Sequence, residues 1–152
     1  MKHRFIYISL LLISLQACNS HDKKAAKEVV NLPTADSTFL ALKDTAQANM
    51  GQFIDSMKRH VKDEKNYIFA VKSDFIEKGE HEHMWSRVFI LEDGSFQGML
   101  VDSPYILKNI KMQDEVKVSL KDVEDWVIYD EIHNNKIGSF SSKYLESKAE
   151  KK

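Results

Sequence analysis

The chain has 152 residues, with 22 lysine and arginine residues against 23 aspartate and glutamate residues, so its formal net charge at pH 7 is −1. No basic excess is available for a phosphate backbone, which argues against a nucleic-acid-binding protein. The single cysteine, Cys18, excludes an intramolecular disulfide and a thiolate metal cluster. Core burial must therefore hold the fold together, and 10 % aromatic residues suffice for the core of one domain.

Residues 1–17 have the three parts of an export signal. The start is cationic, an apolar run covers 5–15, and the small residue Ala17 precedes Cys18. A helix rises about 1.5 Å per residue, so this run is far shorter than a hydrocarbon core of about 30 Å. We therefore expect a removable signal peptide at 1–17 and not a stable membrane span.

The tetrapeptide that ends in Cys18 resembles the lipobox of bacterial lipoproteins; its residues are Leu15-Gln16-Ala17-Cys18. The resemblance implies cleavage before Cys18 and attachment of lipid, including palmitate, to its sulfur and its new amino terminus. Two or more acyl chains give lasting membrane attachment. Asn19 stands where an aspartate would retain the protein at the inner membrane, which favours the outer membrane, facing the periplasm. The alternatives are a secretory signal with an incidental cysteine, or a buried first helix.

Residues 18–36 are predicted to form a flexible tether. This stretch is rich in lysine, alanine and serine, and buries too little apolar surface to offset its ordering entropy. Three candidate N-cap residues follow at 36–38, and apolar residues then recur every three or four positions from Phe39 to Val61. This spacing predicts one long N-terminal helix. Its apolar stripe is expected to pack on a sheet, with a partner-binding or coiled-coil face as the alternative.

After Asn66 the period of the apolar residues changes to about 2, which predicts strands. Residues 92–95 predict a hairpin turn, and Pro104 ends the next strand because proline lacks a backbone N–H. The predicted strands are 67–75, 82–92, 96–101, 115–120, 126–132 and 136–140, with a short helical turn at 121–125. We predict an α+β fold at 37–142, in which the helix packs on a strongly twisted antiparallel sheet or half-barrel of five to six strands. A charged tail is predicted at 143–152.

Several short motifs in the second half of the chain occur in a distinctive order. They are Glu82-His83-Met84-Trp85, Gly94, Phe96-Gln97-Gly98 followed by Pro104, Asp114-Glu115-Val116, and Val123-Glu124-Asp125-Trp126. Together they resemble the YegJ-like family, catalogued as number 2314 among the domains of unknown function. The resemblance covers about 67–140 and implies a bacterial domain with no established catalytic role. Gln113 and Ser139 depart from the family pattern, since glycine is usual at both positions.

His83 and Trp85 lie on one side of a predicted strand and admit three interpretations. His83 can be a half-buried histidine that is hydrogen-bonded to a carbonyl or a carboxylate. Alternatively, His83, Trp85, Asp125 and Trp126 line one ligand groove, with the indole rings as stacking walls. In a third interpretation His81 and His83 are paired metal ligands, because alternate residues of a strand lie about 7 Å apart.

Asp125 and Trp126 also have a structural interpretation, in which the aspartate fixes a corner through backbone N–H groups and the tryptophan fills the core. The chain has no Gly-x-Ser-x-Gly motif and no glycine-rich phosphate loop, so no nucleophile and no cofactor is predicted. The predicted function is a lipid-anchored binding or interaction module of the cell envelope, for an envelope protein or a small ligand. The alternative is a small hydrolase or metal-dependent enzyme that uses His83, Glu82 and Asp125.

Overall fold

The structure, a computed structural model, describes the backbone of residues 37–149 and the side chains of residues 37–147. The predicted signal peptide at 1–17, the lipidation of Cys18 and the tether at 18–36 lie outside the described residues. The last residues of the predicted tail, 150–152, also lie outside them. Within residues 37–149, none of the helices combines the length and the apolar character needed to span a membrane.

Two helices, α1 (Ser37–Ala48) and α2 (Met50–His60), occupy the segment for which one long helix was predicted. The break lies at Asn49. Its side-chain amide donates a hydrogen bond of 2.8 Å to the carbonyl oxygen of Thr45, which also accepts the backbone N–H of Asn49 at 3.2 Å. Asparagine competes in this way with helical hydrogen bonding. The prediction of a single continuous helix is therefore wrong, although the apolar spacing continues across the break.

Six strands form one antiparallel sheet in the order β4-β3-β2-β1-β5-β6, which confirms an α+β fold. The strands are β1 (Tyr67–Glu77), β2 (Glu80–Glu92), β3 (Ser95–Leu100), β4 (Glu115–Ser119), β5 (Val123–Asp130) and β6 (Asn135–Gly138). Strands β1 to β4 pair in chain order, and β5 then pairs with the free side of β1. The predicted helical turn is a 3₁₀ turn at Leu120–Asp122, so β5 begins earlier than predicted and contains Glu124 and Asp125.

A third helix, α3 (Phe140–Ala149), follows the sheet where a strand end and a charged tail were predicted. Strand β6 stops at Gly138, because Gly138 and Ser139 both adopt positive φ angles, of 80° and 58°. This left-handed pair turns the chain from extended to helical geometry. The helix was missed because it carries few apolar residues and therefore has no clear helical stripe.

The main core lies between the helices and one face of the sheet, with Phe53 of α2 at its centre. The ring of Phe53 lies 5.7 Å from that of Phe69, 5.4 Å from Phe96 and 5.5 Å from Trp126, measured between centroids. Such aromatic pairs contribute about 0.5–1.5 kcal/mol each beyond their buried area. The indole N–H of Trp126 donates to the carbonyl oxygen of Ala46 at 2.9 Å, which joins the end of α1 to β5.

The two residues that depart from the family pattern both have left-handed backbone conformations. The φ angle is 74° at Gln113 and 58° at Ser139. A residue with a Cβ atom is strained in this region, whereas glycine is not. The hydroxyl of Ser139 is also buried without a hydrogen-bond partner among the described residues, which adds a desolvation cost.

We expect Gln113→Gly to raise the free energy of unfolding by about 0.5–1 kcal/mol, because glycine adopts the left-handed backbone conformation without strain. The side chain of Gln113 is exposed, so its removal costs little packing. Ser139→Gly should stabilise the protein at least as much, since it also removes the unpartnered hydroxyl. Urea denaturation followed by circular dichroism measures both effects. Gln97→Gly, within strand β3, is the control and should destabilise the protein. Equal destabilisation by Gln113→Gly and Gln97→Gly would contradict the interpretation.

Candidate functional site

Three consecutive residues of β5, namely Glu124, Asp125 and Trp126, contact three different parts of the domain. The cause is a β-bulge: Lys72 of β1 pairs with Asp125, whereas the next residue, Ser73, pairs with Val123. Glu124 is therefore the extra residue of the pair. A bulge of this kind turns the side chain of the extra residue away from the regular alternation and often lies beside a functional site.

Glu124 lies between a histidine of the sheet and a lysine of α1. Its Oε2 atom is 2.6 Å from Nδ1 of His83, and its Oε1 atom is 3.7 Å from Nζ of Lys43. The side chain of Glu124 is only 7 % exposed, whereas that of His83 is 35 % exposed. The rings of Phe39 and His83 form an edge-to-face pair, with their centroids 6.1 Å apart. The middle of α1 thus contacts the sheet through a charged cluster, His83–Glu124–Lys43.

The hydrogen bond from Glu124 raises the pKa of His83 above the ordinary value for histidine. Partial burial of the ring acts in the opposite direction, and the negative charges of Glu124 and Asp74 add to the increase. The carboxylate favours the imidazolium form because the positive charge strengthens their hydrogen bond. The cluster therefore places a histidine that is protonated more readily than usual at a partly open surface.

The carboxylate of Asp125 is completely buried and holds the start of α3. Its Oδ1 atom accepts the backbone N–H groups of Phe140 at 3.0 Å and Trp126 at 2.8 Å. Its Oδ2 atom accepts both the backbone N–H of Ser141, at 2.8 Å, and its hydroxyl, at 2.6 Å. A carboxylate at this position satisfies N–H groups that have no partner within the helix. Asp125 is therefore bound to structural partners by both oxygens.

The structure separates the four residues that were predicted either to line a groove or to support the core. Trp126 is fully buried beside Phe53, and Asp125 is buried under α3. Trp85 is half-buried, and its backbone N–H donates to the carboxylate of Asp102 at 2.9 Å. Of the four, His83 has its side chain in a polar cluster at the surface.

The two histidines considered as a metal pair bind different carboxylates. His81 Nδ1 lies 2.6 Å from Oδ2 of Asp74, whereas His83 is bound to Glu124. Within residues 37–147, no group of three or more histidine, cysteine, aspartate or glutamate residues has a geometry that could hold a metal ion. Each imidazole is thus part of its own histidine–carboxylate pair.

Glu82 of β2 and Glu77 of β1 bind the loop between β3 and β4, residues 101–114. Glu82 accepts the three backbone N–H groups of 105–107 at 2.7–3.0 Å. Glu77 accepts those of 108 and 109 at 2.9 and 3.0 Å, and the side-chain amide of Asn109. These backbone bonds lower the pKa of Glu77, and in Glu82 they outweigh the opposing effect of burial, so that its pKa is lowered as well.

The residues of the predicted enzyme alternative consequently have separate partners. His83 contacts β5, Glu82 contacts the 101–114 loop and Asp125 contacts α3. The structure does not gather the three side chains at one reacting position. Glu124, which sequence analysis did not select, is the acidic partner of His83; its motif was recognised, but the bulge that turns its side chain has no marker in the sequence.

A polar groove of about 500 Å³ lies beside the His83–Glu124–Lys43 cluster. Its walls come from α1, β1, β4, the 3₁₀ turn and β5. The sheet curls here, because β1 and β4 line the same groove although two strands separate them in the sheet. The charged and hydroxyl side chains that line it are Lys43, Ser73, Asp74, Lys117, Ser119, Asp122 and Glu124. The groove therefore presents cationic and anionic groups in one concave surface.

One oxygen of the Asp74 carboxylate has no hydrogen-bond partner among the described residues. The Oδ1 atom of Asp74 is buried and accepts no hydrogen bond from any described residue, whereas Oδ2 is engaged by His81. An unpartnered buried acceptor costs about 1–3 kcal/mol.

The pKa of His83 is higher in the folded protein than in the unfolded chain, so protonation of His83 stabilises the fold. This contribution is fully present below the unfolded pKa of about 6.5 and is lost as the pH rises through the folded pKa. We expect an NMR titration of the His83 ring to give a pKa above that of unfolded histidine. Glu124→Gln should lower it below the wild-type value, since burial then acts without the carboxylate. Asp74→Asn, which removes only a more distant charge, should lower it less. An unchanged pKa in Glu124→Gln would refute the assignment.

Comparison with known proteins gives a family but no reaction. A family described as "Uncharacterized protein conserved in bacteria (DUF2314)" matches residues 36–152. The chain is 29 % identical over 82 residues to "Uncharacterized protein YegJ" of Escherichia coli (strain K12), a match that covers 54 % of this chain and 51 % of that protein. The chain thus spans about half the length of the curated relative it matches, and no solved structure matches it. Because the family match covers most of the chain, this protein belongs to the YegJ-like DUF2314 family of bacteria.

Proposed function

We propose that this DUF2314 protein is a lipid-anchored binding module of the bacterial cell envelope. The observation that carries the anchoring is the lipobox-like sequence that ends in Cys18, after an apolar leader of export type. Asn19 favours the outer membrane, with the domain facing the periplasm. Residues 19–36 separate the lipid from α1 and serve as the tether that lets the domain reach its ligand.

The binding activity is supported by the polar groove beside Glu124. Its volume of about 500 Å³ lies within the range of small-ligand sites, about 300–1,000 Å³. Asp74, whose side chain is 26 % exposed, supplies a negative charge on one wall, and Lys117 supplies a positive charge from β4. A small zwitterion, such as an amino acid or a short peptide, matches this pair, because its ammonium group can bind Asp74 and its carboxylate can bind Lys117.

The anchoring proposal predicts that the protein is labelled by radioactive palmitate in a Gram-negative host and sediments with the membranes. Cys18→Ser should abolish the label, because no other thiol exists in the chain. It should also leave an uncleaved precursor of lower gel mobility. Ser20→Ala, two residues away, is the matched control and should be labelled normally. A wild-type protein without label would refute lipid anchoring.

The groove proposal predicts that alanyl-alanine, a zwitterionic dipeptide, shifts the backbone amide NMR signals of Ser73, Asp74 and Ser119 in full-length Cys18→Ser protein. Lys117→Gln should weaken binding about fivefold, since it removes one charge-assisted contact. Lys121→Gln changes an exposed lysine outside the groove and should leave the affinity unchanged.

Acetate and methylammonium, each carrying one of the two charges, serve as ligand controls for this titration. Alanyl-alanine must shift the groove signals at lower concentration than either ion. Shifts that equal those of the single ions, or that are unaffected by Lys117→Gln, would show that the groove is not a zwitterion site.

A further inference from the structure

The 101–114 loop is held rigidly from one side by the sheet. Five consecutive backbone N–H groups, from 105 to 109, are bound by the carboxylates of Glu82 and Glu77. Leu107 is 4 % exposed and packs with Met84 and Leu100 in a small second core. Hydrogen bonds and burial thus fix which side of the loop faces the protein and which side faces outward.

The outward side of this fixed loop carries large apolar side chains. Tyr105 is 75 % exposed, and the others that are exposed are Val101, Ile106 and Met112. Ser103 connects two parts of the loop, since its hydroxyl lies 3.8 Å from the sulfur of Met112. Exposed apolar residues are common singly, but several on one short, ordered loop indicate a contact surface.

The charged residues of the loop that are exposed are cationic, whereas its two aspartates are half-buried. Lys108 and Lys111 are exposed, and the Nζ atom of Lys108 lies 2.8 Å from the carbonyl oxygen of Tyr105, beside the apolar side chains. The two acidic residues of the loop bind backbone groups: Asp102 accepts the N–H of Trp85, and Asp114 accepts the N–H of Lys111, each at 2.9 Å. An aromatic residue, aliphatic residues and lysines together are typical of a surface that lies at a membrane interface.

We propose that the 101–114 loop contacts an anionic lipid bilayer, with Tyr105 and Ile106 at the level of the headgroups and Lys108 and Lys111 on lipid phosphates. This inference rests on the proposed function in one respect: the lipid on Cys18 brings the domain to the membrane, so that a weak contact is sufficient. A bilayer fits better than a protein partner, because a stable protein interface needs about 20–30 residues on each side. The loop offers far fewer.

The test places an environment-sensitive fluorophore, nitrobenzoxadiazole, on the loop of the full-length protein. Cys18→Ser removes the natural thiol, and Tyr105→Cys then provides one labelling site on an exposed side chain. Ile132→Cys, in the exposed β5–β6 turn, gives a matched control site. Both proteins keep the apolar leader, so any binding through the leader affects them equally.

With vesicles that contain about one third phosphatidylglycerol in phosphatidylcholine, the label at 105 should shift to the blue and brighten at least about twofold, whereas the label at 132 should not. Neutral vesicles or high salt should reduce the response. Lys108→Gln combined with Lys111→Gln should reduce it about twofold or more. These two substitutions lie on exposed side chains, so the fold is retained.

Equal responses at 105 and 132, or no response at 105, would overturn the inference. A change at 105 that depends on protein concentration without vesicles would also overturn it, and would assign the loop to contact with a second copy of the chain. Palmitate labelling in cells reports separately on Cys18. A blue shift at 105, combined with wild-type protein that carries no palmitate in cells, would therefore refute the proposed anchoring and retain the loop contact.

Discussion

The buried carboxylate of Asp125 is the interaction on which the rest of the domain depends. A charge that is 0 % exposed is strongly unfavourable unless it is fully hydrogen-bonded, and here four bonds from three residues satisfy it. These bonds fix the first turn of α3 against β5. One of them also binds the backbone N–H of Trp126, whose ring lies in the core, while the adjacent bulge turns Glu124 toward His83.

The same physical device recurs at the other end of the sheet. Glu77, Glu82 and Asp102 all accept backbone N–H groups, two of them from the 101–114 loop and one from β2. Charge-assisted hydrogen bonds of this kind are shorter and stronger than neutral ones. In a chain that can form no internal disulfide, acidic side chains are thus used to fasten a long connection and a terminal helix to the sheet.

These fastenings produce two surfaces with different chemistry. One is the polar groove beside Glu124, which is lined by side chains of both charge signs. The other is the outward side of the 101–114 loop, which combines apolar side chains with lysines. The proposed ligand groove and the proposed lipid contact of the loop are compatible in one domain, because they draw on separate residues.

The sequence by itself determined the fold class, the family, and the approximate positions of the six strands, because alternating apolar residues and the order of short motifs are local patterns. It did not determine the break at Asn49, the helix α3 or the partner of His83. The break depends on a side-chain bond to Thr45, α3 depends on a carboxylate fifteen residues earlier in the chain, and Glu124 reaches His83 only through a bulge. The break is thus decided by a local side-chain bond, whereas α3 and the partner of His83 are decided by tertiary contacts between residues distant in the chain. A periodicity of apolar residues carries no information about either kind of contact.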